Sequence, residues 1–313
     1  MSNAFLFPGQ GSQAVGMGKQ LADAFPESKA VFDEVNEALS QDLSNIMWEG
    51  PEETLTLTEN AQPALMAVSM AAMAALQAKG VDLAKSAAFV AGHSLGEYSA
   101  LAAAGSLSLA DTARLLKTRG KAMQEAVPVG QGAMAALLGA DLAQAKALAE
   151  AAAEGEVCEA ANDNAPGQVV ISGAKSAVER AVKIAADYGA RRAVLLPVSA
   201  PFHCSLMQPA AETMAAALAD VEIKAPAVPL VANVLASPIT DPEEIRKRLV
   251  EQVTGTVRWR ESMLFLQEKG IDVVYEVGSG KVLTGITRRF EGIDAKAVGT
   301  PDDIEAAAAV LAS

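Results

Sequence analysis

The sequence predicts an α/β protein with a largely parallel sheet and a small inserted unit. Three observations carry this. Short apolar runs at Ala4 to Phe7, Ala87 to Ala91, Val228 to Ala232 and Val273 to Val277 alternate with longer helical patterns, the order of a buried parallel sheet. The first two of these runs break straight into Gly-rich polar loops, where strands of such sheets hand over to helices. Between residues 133 and 198 the rhythm changes to β-α-β-β-α-β, the ferredoxin-like order.

The elements follow in chain order. Ala4 to Phe7 reads as a buried strand entering the loop Pro8-Gly9-Gln10-Gly11-Ser12-Gln13, and helical patterns follow near 17–24 and 27–40. An uncharged span of 18 residues, Ala61 to Ala78, reads as a helix with Pro63 in its first turn and Lys79-Gly80 as its stop. Its bulk is Ala and Met, with Gln62, Ser69 and Gln77 interspersed, which favours a buried helix over a membrane span. Ala87 to Ala91 is a strand, then Gly92 to Glu97 a tight turn, then Tyr98 to Ala104 a helix. Leu109 to Ala126 is a longer amphipathic helix. In the changed region, strands are expected at 133–138, 157–161, 168–172 and 193–198, and helices at 142–153 and 174–188. Pro128 to Gly132 and Pro197 to Pro201 bound it, so domains are expected at 129–198 and at 1–128 with 199–313.

Composition excludes several functions. Lys and Arg total 25 against 38 Asp and Glu, a formal charge of −13, and aromatic residues make up 4%. A nucleic-acid partner needs a basic surface with interleaved aromatics, so none is expected. The two Cys, Cys158 and Cys204, have no metal-ligand or disulfide spacing, and the two His are His93 and His203. No metal site is expected, and a reducing cytoplasm is. Met1 to Pro8 has a three-residue apolar run and no charged start, unlike a secretory signal.

Gly92-His93-Ser94-Leu95-Gly96 matches G-x-S-x-G, a turn that lifts a serine hydroxyl above a sheet and points it at a helix N-terminus. The plainer alternative is a helix start, with Ser94 as cap and Glu97 completing a capping box. The strand before and the helix after favour a nucleophile. A serine nucleophile needs a base, and imidazole suits neutral pH. His93 adjoins Ser94 on a tight turn and should point elsewhere, which leaves His203, just past a predicted strand. Cys204 is a poor nucleophile candidate because it adjoins that base.

In the helix 109–126, Arg119 stands on the apolar stripe with Leu115, Leu116 and Met123, while Arg114, Lys117 and Lys121 take the other side. Two readings stand. Its guanidinium could snorkel to water or pair with a structural carboxylate, or it could clamp a substrate carboxylate with its planar fork.

Together these residues resemble the malonyl-CoA:acyl carrier protein transacylase family of fatty acid synthesis. Six separated motifs carry the resemblance: Phe7 to Gln13, Gly92 to Glu97, Thr118-Arg119-Gly120, Ala161 to Gln168, Ser199 to His203, and Glu276 to Gly285. The resemblance implies an α/β-hydrolase-like core with the ferredoxin-like insert. It implies Ser94 as nucleophile, His203 as base, the N–H groups of Gln13 and Leu95 as oxyanion hole, and Arg119 on the malonyl carboxylate. It further implies that the main-chain carbonyl of Gln252 orients the imidazole in place of an acid, that Phe202 excludes an α-methyl group, and that Asn164 lies near the mouth of the site. Coenzyme A would then be a substrate thioester, with no permanently bound cofactor. Because coenzyme A and acyl carrier protein are acidic, a basic rim is expected among Lys183, Arg191, Arg192, Lys281, Arg288 and Arg289. A serine hydrolase sharing the turn, or a non-catalytic carrier-binding module, would be the competing classes.

Overall fold

The computed structural model describes residues 2–312. Among them, ten strands form two sheets. The larger sheet comprises β1 (Asn3–Phe7), β2 (Phe89–Gly92), β7 (Leu230–Val231), β8 (Pro238–Ile239), β9 (Val273–Val277) and β10 (Asp294–Val298), in the order β10-β9-β1-β2-β7-β8. It is parallel except for the β7–β8 hairpin at one edge. The register sets Phe7 beside Gly92 and Leu6 beside Glu276, so the carboxyl ends of β1, β2 and β9 finish together. The strand that follows β1 lies on one side of it and β9 on the other, the switch point at which such sheets open a crevice.

The smaller sheet comprises β3 (Gly132–Leu138), β4 (Cys158–Ala165), β5 (Gln168–Ala174) and β6 (Arg192–Leu195), antiparallel throughout in the order β4-β5-β3-β6. Alternation divides its two faces. Ala135, Leu137, Val169 and Ile171 pack on the helices Leu142–Ala153 and Lys175–Ile184. Met134, Ala136 and Val170 face the other way, toward the crevice of the larger sheet. The two units are joined at β4: Asp163 donates its N–H to Val257 O, Val257 returns one to Ala161 O, and Arg260 pairs with Asp163 at 2.9 Å.

The helix Thr58–Ala78 fills the centre of the larger unit and is buried on nearly every side. It starts earlier than expected, and Pro63 sits in its second turn. That position forfeits only one early helical bond, which an otherwise well-packed helix tolerates. Strand β4 runs on through Ala165 where a turn was expected after Ala161. Asn162, Asp163 and Asn164 have poor strand propensity, but their bonds to the segment 257–260 and to His93 hold them extended. The final strand of the small sheet stops at Leu195, β7 shrinks to two residues, and the helix from Lys175 ends at Ile184 and finishes as a 3₁₀ turn, Ala185–Tyr188. Strand β10 was not foreseen, because Asp294 and Lys296 alternate with Ala on an exposed edge.

Candidate active site

Ser94 lies between the end of β2 and the helix Gly96–Ala103, with φ +54° in the left-handed region. Small neighbours make that turn possible. A Cβ on Gly92 would meet the Gly96 carbonyl at 1.9 Å, and one on Gly96 would meet Phe7 O at 2.2 Å. The capping-box alternative fails here. Leu95 occupies the helix cap, and the Glu97 carboxylate turns inward to Asn233 and Gln252.

His203, also at positive φ (+56°), brings Nε2 to 2.7 Å from Ser94 Oγ. Its Nδ1–H donates to the main-chain oxygen of Gln252 at 2.9 Å, so Nε2 is the acceptor facing the serine hydroxyl. Burial, reinforced by the nearby Arg119 cation, holds the imidazole at a pKa of about 3. Two non-glycine residues in strained backbone meet at one hydrogen bond, the kind of place where strain serves a site. His93 does point elsewhere, donating Nε2–H to Asn164 Oδ1 at 2.8 Å and packing on Trp259.

Arg119 is 1% exposed, so it does not snorkel. Its Nη1 donates to Gln62 Oε1 at 2.7 Å, and Nη2 donates to Gln252 Oε1 at 2.6 Å and to Ser94 Oγ at 3.1 Å. The Tyr98 ring lies beneath it, 5.8 Å from Cζ. Among the described residues it forms no ion pair, and burial presses on the charged form. A buried guanidinium held by neutral amides beside a serine hydroxyl can accept an incoming anion without first breaking a salt bridge.

These groups open into one cavity of about 1090 Å³, large enough for a long ligand. Gln13, Leu95, Phe202 and Asn164 all line it, so the structure brings together every expected site residue. Asn164 reaches it from strand β4 rather than from a turn. Of the expected rim, Arg289 lines the mouth, with Lys281 and Arg288 exposed at either end of the adjoining helix Val282–Thr287. Arg192 lies opposite Leu138 on the crevice face of the small sheet. Lys183, by contrast, is on the helix layer behind that sheet, and the acidic Glu52 and Glu53 also line the mouth.

Three residues of the site escaped sequence reasoning. Gln62 was visible only as a polar interruption of an apolar helix. Asn233 accepts the Ser94 N–H through Oδ1 at 2.8 Å and donates Nδ2–H to Gly92 O at 2.7 Å. Its one sequence signal was its place after a predicted strand. Glu97 had a stated role only in the less favoured capping-box alternative and otherwise stood unassigned at the end of the Gly92 to Glu97 motif.

Comparison with known proteins agrees with this geometry. Residues 4–299 match the acyl transferase domain family. By class, the protein is therefore an acyltransferase. The malonyl CoA-acyl carrier protein transacylase of Escherichia coli (strain K12) is 47% identical over 305 residues, covering 97% of this chain and 98% of that protein. The crystal structure of an acyl-carrier-protein-S-malonyltransferase from Bartonella henselae superposes with a TM-score of 0.97 at 57% identity, covering both chains fully. A malonyl-transacylase solved in complex with its type II PKS acyl-carrier protein superposes at 0.95 with 42% identity, over 99% of each chain. The chain belongs to the malonyl CoA-acyl carrier protein transacylase family.

Proposed function

We propose that this enzyme moves a malonyl group from coenzyme A to the phosphopantetheine thiol of acyl carrier protein, for fatty acid synthesis in the cytoplasm, through an acyl-enzyme on Ser94. One observation carries the reading: a buried guanidinium, Arg119, reaches the oxygen of a serine already bonded to a neutral imidazole. A carboxylate on that guanidinium would lie one acyl chain's length from the nucleophile, which suits a malonyl thioester.

In the first half-reaction Ser94 Oγ attacks the thioester carbon as its proton passes to His203 Nε2. The Ser94–carbonyl bond forms, the carbon–sulfur bond breaks, and the imidazolium returns the proton to the departing thiolate. The main-chain N–H groups of Gln13 and Leu95 hold the oxyanion, and such a donor is worth about 3–4 kcal/mol where one has been removed. The Gln252 carbonyl keeps the imidazole in its Nδ1–H tautomer, the part an acid plays in a Ser-His-Asp triad. The carrier's thiol then enters and the steps reverse. Exchange of one thioester for another is nearly isoenergetic, so the reading calls for no nucleotide, metal or resident cofactor. Phe202, which lines the cavity, excludes a branched donor in this scheme. Asn164 acts through its bond to His93, shaping the mouth.

The same reading treats residues 129–198 as a ferredoxin-like domain inserted in an α/β-hydrolase-like domain of 1–128 and 199–313. The antiparallel order β4-β5-β3-β6 with both helices on one face supports it. The carrier docks at a local basic rim drawn from Lys281, Arg288, Arg289 and Arg192.

Intact-mass measurement after rapid mixing with malonyl-CoA tests the core of this. Wild type is expected to gain one malonyl group, discharged by a pantetheine thiol, and Ser94→Ala to gain none. Absence of the adduct in wild type would remove covalent catalysis. Release of free malonate without an acceptor would instead mark a hydrolase.

A further inference from the structure

Beneath Ser94, on the side away from the cavity, lies a polar unit that the reaction steps leave unused. Its centre is Glu97, 1% exposed and three residues beyond the nucleophile. Oε1 accepts the main-chain N–H of Asn233 at 2.8 Å, and Oε2 accepts Gln252 Nε2–H at 2.7 Å. The second Nε2 hydrogen goes to Ser94 O at 2.9 Å. At the other end of the same amide, Oε1 meets Arg119 Nη2 at 2.6 Å.

A glutamine amide is two-sided, with donors on one atom and an acceptor on the other. Flipped by a half-turn, Gln252 would present NH₂ to the guanidinium, donor against donor. A carboxylate offers only acceptors, so Glu97 pins the NH₂ end toward itself and turns the oxygen toward Arg119. We propose that Glu97 is a positioning residue that fixes the orientation of the Gln252 side-chain amide, aims the Arg119 guanidinium, and so sets the preference for donors bearing a carboxylate.

The helix position of Glu97 has no need of this arrangement. Its place in the first turn would favour a carboxylate even if the side chain reached solvent, where burial would cost nothing. Here the carboxyl is buried deeply enough to be pushed up to about 7, a cost offset by the Asn233 and Gln252 donors and by the Arg119 charge beyond them. The unit spans both halves of the site, because Asn233 holds the Ser94 N–H and the Gln252 main chain holds His203.

This rests on the malonyl reading above, and its test separates the two. Glu97→Gln should lower the malonyl-to-acetyl ratio of kcat/KM about tenfold, mainly through KM for the malonyl donor. Labelling of Ser94 by an uncharged fluorophosphonate, which needs the dyad but no carboxylate clamp, should fall less than about twofold. Gln252→Met, which keeps the main-chain carbonyl and removes the amide, should lose the same preference and decides the matter if Glu97→Gln does not fold. Equal loss of malonyl transfer, acetyl transfer and labelling in Glu97→Gln would reduce Glu97 to a support of the fold and overturn the proposal. So would full malonyl preference in either folded variant. A wild type that does not discriminate malonyl from acetyl would overturn the functional reading itself.

Discussion

His203 is neutral over most of the accessible pH range, and burial is the main reason. Its folded pKa of about 3 lies below the ordinary 6.5, so it contributes stability that is present above 6.5 and lost as pH falls toward 3. For activity, the acid limb of kcat/KM should lie well below 6.5, since the free enzyme's base stays unprotonated. Arg119 is the second cause of that depression, and a bound carboxylate would cancel its charge. The acid limb of kcat is therefore expected at higher pH than that of kcat/KM. Profiles repeated in Glu97→Gln remove a second buried group, whose pKa is about 7, while His93, lowered by burial, is common to both proteins. A kcat/KM limb at 6.5 would contradict the account. Arg119→Ala should depress malonyl transfer far more than acetyl transfer, because losing one partner of a buried charge pair costs about 2–5 kcal/mol. Equal losses for both donors would remove the clamp. At this scale the sequence was informative where residue types are scarce. With two His in the chain, elimination reached His203. Glu97 and Gln62 were illegible, because their meaning lies in partners at 155 and 57 residues' separation, Gln252 and Arg119.

The helices Leu109–Ala126 and Thr58–Ala78 bring Arg119 and Gln62 together, and their backbones approach closely at Gly120. A Cβ there would lie 2.4 Å from Thr58 O and 2.7 Å from Glu59 Cα, both backbone atoms that cannot swing aside. Gly120→Ala therefore sets two effects in opposition. Helix propensity favours Ala by about 1 kcal/mol, and overpacking costs about 1–3 kcal/mol. With backbone on the far side, the cost falls at the upper end and the net loss is about 2 kcal/mol, several degrees in Tm. The forced separation also stretches the 2.7 Å Arg119–Gln62 bond, so KM for the malonyl donor should rise with the loss of stability. A variant melting at or above wild type would show that the helices adjust freely. The amphipathic helix itself was legible to its end residues, since 18 residues sample five turns of a 3.6 period. The later half of β4 was not, because Asn162 to Asn164 have poor strand propensity and are held extended by pairing with Val169 and Val170 on β5 and by Val257, Arg260 and His93 far along the chain.

At the scale of the molecule, the charge of −13 conflicts with the proposed acidic carrier and donor unless the mouth of the cavity differs from the rest of the surface. The cavity lining carries both signs. Arg289 lines the cavity with Lys281 and Arg288 exposed close to it in the chain, and Glu52 and Glu53 line it as well. A docking protein of negative charge would be attracted by Lys281, Arg288 and Arg289 and repelled by Glu52 and Glu53. Reversing Arg288 and Arg289 to Glu should raise KM for carrier protein about tenfold or more at low salt. The effect should shrink as ionic strength approaches the range where the Debye length is about 8 Å. Arg289 also donates to Pro166 O at 3.4 Å, so a local disturbance could imitate a docking defect. Free pantetheine separates the two, since it uses the same chemistry and carries no acidic surface. Its KM should be unchanged in the reversed variant. If carrier and pantetheine suffer alike, the mouth has been deformed; if neither does, the carrier does not dock at these residues. Replacing Glu52 and Glu53 with Lys supplies the opposite sign, and a lower carrier KM there would show that the net field of the cavity lining, and not one pair of arginines, sets the approach.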